Sequence, residues 1–216
     1  MLGFLSARAI TGIEAVVDGV YSRSIGLNGL HGTLSIKPAT ADSLELTLDF
    51  PDANAVPEIV ARLRRMFDLD ADLITMQRHL AADPMLARLI AQRPGLRVPG
   101  TWDGLELAIR AVLGQQISVG AAIKLAGKLV AQYGAPLTSP HDGLTHVFPE
   151  AAVLAAADLA TLGMPKSRGR TLSGVAQALL DDPLLFEPGR QGGVKRLLGL
   201  YGVGDWTAQY LSLIHI

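Results

Sequence analysis

The sequence predicts an α+β protein, with an antiparallel sheet domain over residues 1–72 and a helical domain over residues 73–216. Three observations predict it. Residues 43–50 alternate, placing Leu44, Leu46, Leu48 and Phe50 on one face, the period of a half-buried strand. From Ile74 onward the apolar residues recur at helical spacing. Near the C-terminus a helical stretch meets Gly202-Val203-Gly204, and a second helix opens at once with Trp206 and Tyr210 one turn apart.

In the first domain, residues 21–27 and 32–37 also alternate, and Gly29 to His31 can turn between them. Pro51-Asp52 ends the third strand. Val56-Pro57 opens a helix whose apolar stripe is Ile59, Val60, Leu63, Met66 and Phe67, and this helix covers the sheet. The second domain starts with short helices over 74–80 and 84–92. Residues 93–100 form an ordered Pro/Gly connector. Helices follow over 102–113, with Asp103 near the start, and over 121–133 after Gln115-Gln116-Ile117-Ser118. Two more cover 150–156 and 158–162, and after Gly163-Met164-Pro165 another spans 166–180. The final apolar helix reaches Ile216 without a cap, which we read as a truncation or a foreign tail.

Composition narrows the function classes. Half the chain is apolar (49%), enough to bury a sizeable core. With 19 basic and 20 acidic residues the net charge is −1, which argues against a basic tail that binds nucleic acid in bulk but leaves room for a local basic footprint. There is no cysteine, hence no disulfide frame, Cys-based zinc site or iron–sulfur cluster, and this fits a cytoplasmic protein. The N-terminus has no basic stretch before its apolar residues and makes a poor signal peptide. No apolar run spans a bilayer. No His and carboxylate set has metal spacing, so the expected metal is none.

The hairpin carries the chemistry. Gly202 and Gly204 suit a positive φ or a close approach of the backbone to something outside. The amides of residues 203–207 open the following helix, and such an N-terminus is a ready phosphate site. Trp206 and Tyr210 share one helix face; core packing is the plain alternative for such a pair. Lys166, Arg168 and Arg170 follow a Met-Pro turn, where a solvated face is the default and a phosphate contact the sharper option. Trp102 and His79 are expected to be structural.

Residues 202–208, Gly-Val-Gly-Asp-Trp-Thr-Ala, resemble the helix-hairpin-helix of the DNA glycosylase superfamily. Together with residues 1–9, 94–100 and 110–119 they resemble the AlkA type, 3-methyladenine DNA glycosylase II, over nearly the whole chain. The resemblance implies a sheet domain like half of a TATA-binding protein, then a helical domain, with the lesion pocket in the cleft beside the hairpin. It implies a monofunctional enzyme of base excision repair that flips alkylated bases from duplex DNA and hydrolyses the N-glycosidic bond. It needs no cofactor and acts as a monomer in the bacterial cytoplasm and nucleoid.

By the same resemblance Trp206, Tyr210 and Phe4 line the pocket, where an aromatic face attracts a cationic methylated purine by roughly 0.5–2 kcal/mol. The expected DNA contacts are Gln115, Gln116, Gly202, Val203, Gly204 and Thr207, with Lys166 and Arg168 added by their place after the Met-Pro turn. Gln116 stands where the family inserts an apolar wedge, and Tyr201 where the hairpin usually has Pro. Trp206 occupies the position at which lyase relatives carry their Schiff-base lysine, so water is the acceptor. The family's catalytic aspartate lies beyond the hairpin's second helix and its first strand before Met1, so no catalytic residue is assigned within these 216 residues. This length alone is expected to be inactive and prone to aggregation. The competing readings are a non-catalytic DNA-binding module and a packed helical protein with no DNA role.

Overall fold

The computed structural model describes residues 1–40, 42–187 and 189–215, with side chains described as far as Ser212. A short helix α1 (Leu2–Ser6) leads into strands β1 (Glu14–Val17), β2 (Val20–Leu27), β3 (Leu30–Thr40) and β4 (Ser43–Asp49). These form one four-stranded antiparallel sheet in the order β1-β2-β3-β4. Strand β1 and helix α1 are additions to the elements read from sequence. The β2–β3 turn lies one residue earlier than expected. Asn28 (φ 53°) and Gly29 (φ 75°) both take the left-handed conformation of a two-residue hairpin, and His31 already pairs with Gly26.

Helix α2 (Val56–Met66) lies across the sheet with Ile59, Leu63 and Met66 inward, followed by buried Phe67. Val60 falls off this stripe and is exposed (36%), because it sits next to Ile59, about 100° around the helix. The sheet's inner face brings Tyr21, Ile25, Leu34 and Ile36 against α2, and Trp102 joins the same cluster. At the edge, β4 keeps Leu44 exposed, so the clearest alternation in the sequence marks the least buried strand.

Helices α3 (Leu73–Leu80) and α4 (Pro84–Gln92) have no fully buried residue. The 93–100 connector is strapped to the end of α2: Val98 N–H donates to Asp68 Oδ2 (3.0 Å), Gly100 N–H to the Met66 carbonyl (2.9 Å), and Arg97 to the Asp68 carbonyl. This strap places Trp102 before helix α5 (Gly104–Leu113), which is capped by Asp103 on Glu106 N–H (3.0 Å). Helix α6 (Val119–Tyr133) is capped by Ser118.

A small hairpin, β5 (Pro136–His141) and β6 (Leu144–His146), turns at Asp142 and Gly143, both of positive φ. Helix α7 (Ala151–Ala156), a 3-10 turn (Leu159–Leu162), α8 (Lys166–Asp181), α9 (Gly193–Leu198) and α10 (Asp205–His215) complete the helical part. The 158–162 segment is thus a tighter turn than an α-helix. α5 is the central helix of the larger core, with Ala108, Ile109, Val112 and Leu113 fully buried. The C-terminal expectation concerning Ile216 falls outside the described residues. Among the described residues no helix is long and apolar enough to cross a membrane.

Candidate base pocket and nucleic-acid interface

Opposite ends of the chain meet at one narrow pocket of about 80 Å³. Phe4 comes from α1, Tyr210 from α10 and Trp102 from the turn between the strap and α5, while Glu14, Arg23, Glu106 and Arg110 form the polar wall. Trp206 stacks on Tyr210 with ring centroids 5.2 Å apart and planes within 5°. It is 68% exposed, so its outer face is open to a further planar ring. Phe4 is half-exposed, and the guanidinium of Arg8 lies 3.9 Å from its ring centroid. The Arg8 cation covers one face of this ring.

The polar wall is a closed charge network. Glu14 and Arg23 are direct cross-strand partners on β1 and β2, 3.9 Å apart. Arg23 donates to Glu106 Oε2 (2.7 Å), and Arg110 donates to Glu106 Oε1 (2.6 Å), to Glu14 and to the Arg8 carbonyl (2.9 Å). Glu14 also accepts from Tyr21 Oη (2.7 Å) and Ile10 N–H (3.0 Å). The two positive and two negative groups cancel, as charges shielded from water must.

Burial alone pushes the Glu106 carboxyl up, but the Arg23 and Arg110 guanidiniums overcome it and hold it down to about 2. Burial also works against the charge on Arg23 and Arg110, and their carboxylate partners hold both above the ordinary guanidinium range. Burial raises the Tyr21 hydroxyl well above its usual value, so it stays a donor to Glu14. Through the Arg8 carbonyl and the Ile10 amide the network holds the segment that follows α1.

The hairpin side is built around the Gln115-Gln116 loop. Gln115 Nε2 donates to the Gly202 carbonyl and to Thr207 Oγ1, both at 3.1 Å. Arg168 donates to the Gln115 carbonyl (2.6 Å), so its guanidinium braces this loop. Thr207 and Val203 are buried and turn their side chains inward. The first helical bond of α10 runs from Ala208 N–H to the Gly204 carbonyl (2.9 Å), which leaves the Asp205, Trp206 and Thr207 amides at the helix opening. Tyr201 is covered by Arg170, 4.5 Å from its ring centroid. Lys166 is exposed in the first turn of α8. Gly202 has φ +74° and abuts Thr171, whereas Gly204 has no positive φ and an open surround.

Gln116 is exposed with φ +58°, a left-handed conformation that costs a residue with a Cβ about 1–2 kcal/mol. Gln116→Gly is therefore expected to raise stability by up to about 1 kcal/mol in urea unfolding, since glycine's chain entropy offsets part of the relief. Destabilisation by this change would show that the Gln116 side chain supports the loop.

Sequence reasoning missed Glu14, Arg23 and Glu106 as site residues. Two signals were present. Arg23 falls on the apolar face of β2 with Tyr21 and Ile25, and Glu106 and Arg110 stand one turn apart in an otherwise apolar helix. Charges on faces that must be buried imply partners.

The fold is shared with a solved 3-methyladenine DNA-glycosylase from Archaeoglobus fulgidus, with a TM-score of 0.84 over 97% of this chain and 73% of that one, at 22% identity. That likeness fixes the fold, and the sequence supplies the family. Residues 1–103 match the AlkA N-terminal domain. The chain is 36% identical to DNA-3-methyladenine glycosylase 2 of Escherichia coli (strain K12), over 99% of its own length and 75% of that protein's. It belongs to the AlkA family. It is also 40% identical to "Probable bifunctional transcriptional activator/DNA repair enzyme AlkA" of Mycobacterium tuberculosis, over 99% of its own length and 43% of that protein's. The chain spans less than half of this second relative.

Proposed function

We propose that this sequence supplies the base pocket and DNA-facing hairpin of a monofunctional glycosylase that removes alkylated bases, 3-methyladenine among them, from duplex DNA. The observation that carries the reading is the junction of Phe4 and Tyr210 in one pocket, with Trp206 stacked on Tyr210 and open outward. A flipped cationic base would lie against these rings. The α10 N-terminus and the Gly204 backbone would hold a phosphate, and Gln116 would fill the vacated stack. Lys166 is suited to a further phosphate contact, while Arg168, braced on Gln115, would act by holding the loop. A tryptophan at position 206 leaves no Schiff-base lysine there, so hydrolysis is the chemistry it suits. We place the protein in the bacterial cytoplasm, as a monomer.

Release of 3-methyladenine from methylated duplex DNA, resolved by chromatography, tests the activity in a protein carrying this whole sequence. Trp206→Ala should lower the rate about 5- to 150-fold, the worth of roughly 1–3 kcal/mol of base stacking. Unchanged release would remove Trp206 from the pocket.

One observation favours the non-catalytic alternative. Among the described residues, the two carboxylates lining the pocket, Glu14 and Glu106, are both held by guanidinium groups, and neither is free to stabilise an oxocarbenium ion. We accordingly expect these 216 residues alone to bind DNA, in a salt-dependent manner and more tightly with an abasic analogue, without excising a base. Robust excision would overturn that expectation.

A further inference from the structure

We infer that Trp102 is the size-limiting wall of the base pocket and so sets which alkyl substituents a bound base can carry; the inference rests on the base-pocket role proposed above. Three cavities converge on this one side chain. The pocket with Phe4 and Tyr210 measures about 80 Å³, and two further cavities, of about 320 Å³ and about 640 Å³, also reach Trp102. Trp102 lines all three.

The wall is rigid. Trp102 is 5% exposed, with the Arg23 guanidinium 5.0 Å and the Arg62 guanidinium 5.4 Å from its ring centroid. Both cations are themselves pinned, Arg23 by Glu106 (2.7 Å) and Arg62 by Glu58 (2.7 Å). The backbone before it is packed closely on the end of α2: Gly100 N–H donates to the Met66 carbonyl (2.9 Å), and a Cβ at Gly100 would lie 2.5 Å from the Arg65 carbonyl oxygen. A pocket of this size takes the leading edge of a ring and little more, well below the roughly 300–1,000 Å³ of ordinary ligand pockets. A large substituent on the base must therefore meet the indole. Truncating the indole would remove a side chain that the pocket shares with both larger cavities, and so give a substituent more room.

The test uses the whole chain with Trp102→Phe and Trp102→Ala, in which Trp206 is the sole remaining fluorophore of its kind, the chain having two tryptophans. Free 3-methyladenine and 3-benzyladenine are titrated against Trp206 emission, with far-UV circular dichroism to confirm folding. W102F keeps an aromatic wall and should retain preference for the methyl base. W102A should shift the ratio of affinities toward the benzyl base by about tenfold or more, the scale on which a pocket gains or loses room for apolar groups. If W102A fails to fold, W102L replaces it with the same expected direction. Equal ratios in the two variants, with both bases bound, would overturn the inference and leave the base pocket standing. No quenching by either base in either variant would remove the pocket itself, and the inference with it.

Discussion

Glu106→Ala is expected to destabilise the fold by about 3–5 kcal/mol, the usual cost of leaving a buried charge without its partner. The change strands Arg23, 2% exposed, whose other carboxylate, Glu14, lies at 3.9 Å. It also takes one of two carboxylates from Arg110. Against a total stability of about 5–15 kcal/mol the loss is near-critical. Removing charge of both signs should be far milder. Arg23→Leu with Glu106→Leu leaves Glu14 and Arg110 as a neutral pair, and is expected within about 2 kcal/mol of the parent, a coupling visible in a double-mutant cycle. Urea midpoints at constant slope measure both; a Glu106→Ala loss under about 1 kcal/mol would mean that water reaches the network.

The pH dependence follows from the same group. The folded Glu106 carboxyl titrates at about 2 against an ordinary 4.5, so its contribution is fully present above pH 4.5 and is lost as pH falls through 2. The amount is about 3 kcal/mol, and Glu106→Gln should flatten acid unfolding in that window.

That network also marks where the sequence stops being readable. Period-based signals located α2 through Ile59, Leu63 and Met66, and the α5 core through Ile109 and Val112, because each helix face is a local property of spacing. Arg23 and Glu106 meet across 83 residues, and no local pattern encodes such a meeting. The pocket is similar: Phe4 and Tyr210 lie at opposite ends of the chain, and family resemblance rather than periodicity pointed to both. The β5–β6 hairpin escaped because Pro140 interrupts a short strand, although Asp142-Gly143 is a turn signature. Val60 was misplaced because stripe assignment tolerates one residue of rotation, while burial does not.

Gly202→Ala is expected to cost roughly 2–5 kcal/mol, and Gly204→Ala less than about 1, although the two glycines look equivalent in the hairpin motif. At Gly202 two penalties add. The left-handed φ of +74° costs a residue with a Cβ about 1–2 kcal/mol. The new methyl would also lie 2.1 Å from Thr171 Oγ1 and 2.9 Å from its Cγ2. Thr171 cannot swing away freely, since it is 3% exposed and its hydroxyl donates to the Ser167 carbonyl at 3.0 Å. Overpacking of this kind costs about 1–3 kcal/mol. Thr171→Ala in the same chain should recover the packing part and leave the φ penalty, which separates the two causes. At Gly204 nothing lies within 4 Å of the added methyl and φ is not positive, so the fold should not register the change. Its cost should appear in binding instead: a methyl beside the α10 amides would hold a phosphate away, lowering duplex affinity while urea midpoints stay put. If Gly204→Ala binds duplex DNA as the parent does, the hairpin does not approach a phosphate at that residue. The second glycine would then need another explanation than DNA.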